Sequence, residues 1–235
     1  MNIDKKILVS DYDKTFYLND EDIEKNKIAI NEFRKRGNIF IIATGRSHFD
    51  FHNKLDLYKF DYDYVIINHG ATILDKNDNI LANFTIKNEI IPEIKKDLKL
   101  EKSIKGFCCS ELESRVDFNH KDLTKINVGY NSKDEAISIN GKINNKYSKF
   151  INSYSIAETS LEIISNETNK SKAIDLLLNR LNIKRQNVYT IGDGYSDIEM
   201  VKNFNGYAMQ ESVDELKKVA KKEYSSVSEL INEII

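Results

Sequence analysis

The sequence predicts an α/β protein with a parallel core sheet flanked by helices and an α+β segment inserted into it. Three observations carry that expectation. Short apolar runs rich in Ile and Val alternate with helical stretches at both ends of the chain, as where strands are buried on both faces. From about residue 81 to residue 165 the pattern changes, and polar residues interleave with apolar ones. The first apolar run leads straight into two carboxylates, Asp11 and Asp13, and a buried strand ending in unpaired charge needs a partner for it.

Taken in order, Ile7-Leu8-Val9 is the first strand. A helix over 20–36 carries Ile23, Ile30 and Phe33 near one face, with Gly37 placed to end it. A second strand over 39–43 ends at Thr44-Gly45-Arg46-Ser47, an irregular helix covers 47–58, and a third strand over 64–67 ends at Asn68-His69-Gly70. In the insertion the single proline opens a helix over 92–98. Strands are expected at 104–110, 114–118 and 125–130, and Ser132 with Glu135 caps a helix running to about residue 146. A hairpin of 150–157 and 161–164 completes an open antiparallel sheet whose second face is half-exposed. Alternation resumes with Ala173, Ile174, Leu177, Leu178 and Leu181 as a helical stripe. A strand over 188–191 then ends at Gly192-Asp193-Gly194, followed by a helix carrying Ile198 and Val201 and a strand over 207–209. Two final helices start at Ser212 with Glu215 and at Ser226 with Glu229. The division is residues 1–80 and 167–235 for the core and 81–166 for the insertion.

Composition narrows the function. A length of 235 residues suits one large domain or two that share a core. A net charge of −2 argues against a general nucleic-acid or anionic-membrane binder. The adjacent Cys108 and Cys109 make no disulfide framework, and no apolar run approaches the ~20 residues of a membrane helix. The first six residues run directly into the first strand and leave no room for a signal peptide. A cytoplasmic protein is expected, monomeric or homodimeric.

Asp11, Thr44, Asn68 and Asp193 each end a core run, and in an open parallel sheet such ends share one crevice. Lys170 opens the helix after the insertion, and Asp197 follows Asp193 by four residues. Three carboxylates around one point repel unless a cation sits among them, and all-oxygen ligation with room for water and phosphate is the Mg²⁺ preference. A carboxylate nucleophile gives an aspartyl-phosphate, and a second carboxylate two residues on can protonate the leaving alcohol and then activate water. These residue types in this order point to metal-assisted phosphoryl transfer.

The same stretches resemble the haloacid dehalogenase (HAD) superfamily, subclass IIB, the Cof-type group of sugar-phosphate phosphatases. Asp11-Tyr12-Asp13-Lys14-Thr15 is similar to the first motif and Ala43-Thr44-Gly45-Arg46 to the second. Lys170 with Ala173 is similar to the third, and Gly192-Asp193-Gly194-Tyr195-Ser196-Asp197 to the fourth. Asn68-His69-Gly70-Ala71 resembles the loop before a type-two cap with a histidine inserted, and Tyr207-Ala208-Met209 resembles the closing strand. The resemblance implies a Rossmannoid core with an inserted type-two cap. It also implies an Mg²⁺-dependent phosphatase acting on a small phosphorylated metabolite, with a sugar phosphate expected. Asp11 would be the nucleophile and Asp13 the acid/base. Thr44, Gly45, Arg46, Lys170 and Asn68 would surround the phosphate. Asp11, Asp13 (through its backbone carbonyl), Asp193 and Asp197 (directly or through water) would hold the metal. Retention of Asp13 favours phosphate over halide, which needs no proton. The chain departs from the pattern at Lys14, where glycine is usual, at Ser196, where asparagine is frequent, and in a short cap. The Lys14 exchange predicts an altered turn or a lysine reaching toward the cap.

Two rival readings share part of this set. A phosphohexomutase-like phosphotransferase uses the same nucleophile and returns the phosphate. A phosphorylatable signalling protein uses Asp, Mg²⁺ and Lys, but the large insertion and the strand carrying the nucleophile disfavour it. Arg115, Lys125 and Tyr154 are candidates to read the far end of a substrate, and nothing in the sequence separates them. His48, His52 and His120 are expected at the surface with no metal-site spacing linking them. One cysteine of the adjacent pair is expected in the cap core and the other toward solvent or the cleft.

Overall fold

The computed structural model describes residues 5–156 and 158–235. The first four residues, expected to lead into the first strand, and Ala157, expected to end the strand from residue 150, lie outside the described residues.

The first half of the core runs β1 (Ile7–Ser10), α1 (Asp20–Lys35), β2 (Ile39–Ala43), α2 (His48–Tyr58), β3 (Tyr64–Ile67), β4 (Thr72–Asp75) and β5 (Ile80–Asn83). The insertion runs α3 (Ile91–Asp97), β6 (Lys105–Ser110), β7 (Glu113–Val116), β8 (Lys125–Gly129), α4 (Lys133–Tyr147), β9 (Ile151–Ile156) and β10 (Ser160–Ser165). The chain returns to the core with α5 (Lys170–Leu181), β11 (Val188–Gly192), α6 (Ile198–Asn203), β12 (Asn205–Met209), α7 (Asp214–Lys217), β13 (Glu223–Tyr224) and α8 (Val227–Ile234).

The core sheet has the order β13-β12-β11-β1-β2-β3-β4-β5. It is parallel from β13 to β3 and antiparallel across β3, β4 and β5. Alternate residues of each strand bury into opposite layers. Leu8, Phe40, Ile42, Val65 and Ile67 pack against Ile30 and Phe33 of α1, Phe51 of α2 and Leu230 and Ile231 of α8. Ile7, Val9, Ile41 and Ile66 pack against Ala173, Ile174 and Leu177 of α5 and Met200 and Val201 of α6. Three helix starts of the core are anchored by side-chain caps: Asn19 accepts from the amides of Glu21 and Asp22, Ser47 from Asp50, and Asn169 from Lys172. The chain order reverses between β1 and β11, which opens a crevice at their carboxyl ends.

The inserted sheet is antiparallel, β7-β6-β8-β10-β9. One face packs Cys108, Ile126, Val128, Leu161 and Ile163 against Ile91 and Ile94 of α3 and Ala136, Ile139 and Ile143 of α4. The other carries Lys125, Asn127 and Glu162, and here the structure corrects the expectation of a half-exposed face. All three are buried, at 2%, 5% and 6% exposure, because the loops of the core cover them. Cys109 joins this face, paired in register with Lys125, while Cys108 packs in the cap core.

Three other expectations change. The segment assigned to the insertion from residue 81 begins as β5, which pairs with β4 and extends the core sheet to Asn83. The helix near Ser212 starts instead at Asp214 without a side-chain cap, because the Val213 amide is taken by the Asp193 carbonyl at 3.0 Å. His48 and His52 are half-buried and meet at Asp78, whereas His120 is exposed as expected. Among the described residues no helix is long and apolar enough to cross a membrane.

Candidate active site

Four residues predicted from separate stretches meet at the crevice. Asp11 follows β1, its amide donating to the Ile191 carbonyl of β11 at 3.0 Å, so its position is held across the reversal point. Lys170, the first residue of α5, is buried and its Nζ donates at 2.6 Å to Asp11 Oδ1 and at 2.6 Å to Asp197 Oδ1. The second oxygen of Asp197 accepts the amides of Asp193 at 3.2 Å and Gly194 at 3.0 Å, which fixes its orientation. Residue 192 must be glycine for this approach, since a Cβ there would lie 2.6 Å from the Asp197 side chain. Thr15 Oγ1 donates to Asp193 Oδ1 at 3.1 Å. Asp11, Asp193 and Asp197 each offer an oxygen within 4.8 Å of the others.

The charge at this point does not balance. Three carboxylates face one ammonium, which leaves two unmatched negative charges. Burial and the neighbouring acids raise the Asp11 carboxyl well above its ordinary range despite Lys170. Burial and then Asp197 push Asp193 up to about 6. Burial would lower the Lys170 ammonium, but Asp11 and Asp197 outweigh it and hold it above the usual lysine range. A dication would offset the remaining negative charge, and the all-oxygen character of the donor set fits a hard one.

The other predicted residues sit around the cluster. Thr44 is buried, its amide donating to Ile66 and its Oγ1 accepting the Arg46 amide at 3.1 Å. Asp13 keeps its carboxylate outside the three-acid cluster. Arg46 grips it with two bonds, Nε to Oδ2 at 2.8 Å and Nη2 to Oδ1 at 2.6 Å, and lies 5.4 Å over the Tyr12 ring. Lys14 adopts φ 58°, the left-handed conformation that glycine enters freely. The lysine therefore holds a backbone conformation that carries local strain for any residue but glycine.

The loop of Asn68-His69-Gly70 turns to the cap. Asn68 and His69 both have positive φ, at 51° and 57°, and their amides donate to the carbonyls of Arg46 and Thr44. Gly70, at φ 112°, passes so close to Asn169 that a Cβ would lie 2.4 Å from its backbone. His69 Nε2 meets Glu162 Oε2 at 2.5 Å, and its ring lies 5.1 Å from that of Tyr154. Lys125 Nζ reaches Glu162 at 2.9 Å and donates to the Gly45 carbonyl at 2.5 Å. Asn127 Nδ2 donates to Glu162 Oε1 at 3.0 Å. Burial opposes ionisation of Glu162, but Lys125 and His69 overcome it and hold the carboxyl below its ordinary range. Burial lowers the pKa of His69, which favours its neutral form. Asn68 Oδ1, His69 Nδ1 and Asn127 Oδ1 are buried there without a hydrogen-bond partner.

Of the candidates for the far end of the pocket, the structure brings Lys125 and Tyr154 to this face, whereas Arg115 stays largely exposed beside Asp50. Glu162 and Asn127 were missed; the available signal was polar residues on one side of two strands whose other sides, Ile126 and Val128, Leu161 and Ile163, are apolar. A cleft of about 230 Å³ lined by Tyr154, Asn169, Tyr195, Ser196, Ile198 and Glu199 opens between cap and core beside Asp197.

The profile of haloacid dehalogenase-like hydrolases matches residues 8–120 and 101–230 of the chain. A Bacillus subtilis (strain 168) protein named 5-amino-6-(5-phospho-D-ribitylamino)uracil phosphatase YcsE is 26% identical over 226 residues, covering 93% of this chain and 89% of its own length. The solved structure of a haloacid dehalogenase-like hydrolase from Bacteroides thetaiotaomicron aligns with a TM-score of 0.79 at 19% identity, over 98% of this chain and 100% of that one. Another from B. subtilis aligns with a TM-score of 0.80 at 17% identity, over 98% and 100%. At these identities the solved structures speak for the fold.

Proposed function

The chain belongs to the haloacid dehalogenase-like hydrolase family, in its Cof-type branch, as a phosphomonoester hydrolase, and we propose that it is an Mg²⁺-dependent phosphatase acting on a sugar phosphate or similar phosphorylated polyol. The observation that carries this reading is the pair of unmatched negative charges among Asp11, Asp193, Asp197 and Lys170 at the crevice. Asp11, Asp193 and Asp197, with the Asp13 carbonyl as the family resemblance implies, would hold the ion. When bound, the ion supplies positive charge to neutralise the acids and the phosphoryl oxygens.

The chain's own groups do the rest. An Asp11 carboxylate oxygen attacks phosphorus, forming an aspartyl-phosphate as the bond to the leaving oxygen breaks. Asp13 gives that oxygen its proton, then takes one from the water that attacks phosphorus, releasing inorganic phosphate and restoring Asp11. Lys170 orients Asp11 and, with the Thr44 hydroxyl, faces the phosphoryl oxygens. Arg46 acts through Asp13 as a positioning residue, its planar fork fixing the carboxylate. The cap, taken as the chain between β5 and α5, closes over the leaving group and excludes water.

The leaving group's chemistry is suggested by the cap face. A neutral His69 that donates through Nε2 to Glu162 leaves Nδ1 as an acceptor, and Asn68 Oδ1 and Asn127 Oδ1 add two more. Three unpaired acceptors suit a leaving group rich in hydroxyl donors. The activity for which the B. subtilis relative is named, on a phosphorylated ribityl chain, supports the same class. A phosphatase screen over sugar and polyol phosphates, nucleotides and p-nitrophenyl phosphate, with and without Mg²⁺, tests the reading. Mg²⁺-dependent hydrolysis with a preference for the polyhydroxylated compounds is expected. Substantial turnover by Asp11→Asn would overturn the mechanism.

A further inference from the structure

We propose that His48, His52 and Asp78 form a second metal site, one that takes a transition-metal dication of the Zn²⁺, Co²⁺ or Ni²⁺ class. The two histidines stand four residues apart on α2 and therefore share one face of the helix. Their rings lie 4.2 Å apart between centroids. Asp78 comes from the turn between β4 and β5 and points the same oxygen at both: Oδ1 is 3.3 Å from His48 Nε2 and 3.1 Å from His52 Nε2. The three side chains offer ligand atoms all within 4.8 Å of one another.

The spacing is that of ligands around a shared ion. Two donors each about 2.1 Å from a zinc ion, at angles of about 95–110°, lie about 3.1–3.4 Å apart. Both rings crowd one carboxylate oxygen: His52 Nε2 is hydrogen-bonded to Asp78 Oδ1, whereas the buried His48 Nε2 lies 3.3 Å from the same oxygen without well-aligned hydrogen-bond geometry. The turn that carries Asp78 is also fixed by its own hydrogen bonds. Asp75 Oδ1 accepts the amides of Asn77 at 2.8 Å and Asn79 at 3.0 Å, and the Asp78 amide donates to the Asp75 carbonyl at 3.1 Å. Two imidazole nitrogens and one carboxylate oxygen make a mixed set that Mg²⁺ disfavours and borderline dications prefer. The two sites thus differ in kind, one built from oxygen alone and the other mostly from nitrogen.

The position gives the ion a mechanical consequence. The first turn of α2 touches the cap through the Phe49 amide to Ser114 Oγ at 3.3 Å and through Asp50 to Arg115 at 3.5 Å. The residue two before α2 is Arg46, which grips Asp13. An ion at His48, His52 and Asp78 ties that turn to the β4–β5 hairpin of the core sheet.

The test uses the full chain free of any histidine tag, stripped with a chelator and then saturated with Mg²⁺ so that the carboxylate site is occupied. Calorimetric titration with ZnCl₂ should show one further ion per chain. His48→Gln and His52→Gln should each weaken it by more than about 100-fold, beyond what loss of an outer-shell partner costs. CoCl₂ in the wild-type protein should give visible d–d absorption that both variants lose. ZnCl₂ should raise the melting temperature of the wild type and not of the variants. Activity with Mg²⁺ alone should stay within about twofold of wild type in these variants. Absence of Zn²⁺ uptake by the Mg²⁺-saturated protein, or uptake unchanged in His52→Gln, would overturn the site. Should a histidine variant fail to fold, Asp78→Asn in the turn decides: lost uptake supports the site, and undiminished uptake overturns it.

Discussion

The crevice and the cap–core joint are both buried clusters centred on carboxylates, yet their charges are settled in opposite ways. At the crevice Asp11, Asp193 and Asp197 share the one buried ammonium of Lys170, and the Asp11 and Asp193 carboxyls are pushed up. At the joint a single acid, Glu162, faces Lys125, His69 and Asn127, and its carboxyl is held down. Buried charge costs free energy in either case, so a cluster that is balanced serves as a fixed contact, and one with excess negative charge has the character of a cation site. Burial alone does not distinguish the two; counting charges does.

Asp11→Asn acts on the unbalanced cluster and should have the largest effect, a fall in turnover of about 10⁴-fold or more, measured as steady-state phosphate release. In the absence of Mg²⁺ the same variant should melt higher than wild type, because one repelling charge is gone; a lower melting temperature would break the comparison. Glu162→Gln acts on the balanced cluster and should do the reverse, destabilising the fold by about 3 kcal/mol in urea because Lys125 is left buried without its partner. Arg46→Ala should cost about ten- to a hundredfold in kcat by releasing Asp13. Arg46→Lys should recover little of this, because an ammonium cannot form the two-bond fork.

pH separates the two clusters without mutation. The folded-state values of Asp11 and Asp193 lie above their unfolded ones, so the stability they contribute is full below about pH 4 and is lost as pH rises through the folded value, about 6 for Asp193. Glu162 has the opposite shift, so its contribution is present above about pH 4.3 and is lost as pH falls below that. Urea midpoints of the metal-free protein should therefore decline between about pH 4 and 6, and saturating Mg²⁺ should remove that decline. The smallest expected change is at Lys14, outside both clusters. Lys14→Gly should stabilise by about 1 kcal/mol in urea by relieving a left-handed lysine.

Legibility from the sequence followed the same division. The strands expected at 39–43 and 64–67 are β2 and β3 residue for residue, since continuous apolar runs announce themselves. Asp11, Asp193, Asp197 and Lys170 were legible because each stands at the end of a core run or the start of a helix, where topology alone delivers it to the crevice. The joint was harder to read. Lys125, Asn127 and Glu162 look like a solvated strand face until the core loops that cover them are in place. β4 and β5 were missed because four-residue strands at an antiparallel edge carry too few residues for a period to show. The meeting of His48 and His52 was not expected from the sequence, because Asp78 approaches them only once the β4–β5 turn has formed.

The central place of β1 has a consequence for synthesis. Its neighbour β2 follows closely, but its other neighbour, β11, is translated only after the whole cap and α5. At about 5–20 residues per second the apolar edge of Ile7–Ser10 waits roughly 10–35 s on the ribosome for its partner, open to pairing with other chains. The cap's own sheet can close in that interval, since its five strands are continuous in the chain. The order of translation therefore makes the accessory layer first and completes the pairing of β1 last, and Asp11 gains the backbone bond that fixes it only when Ile191 arrives.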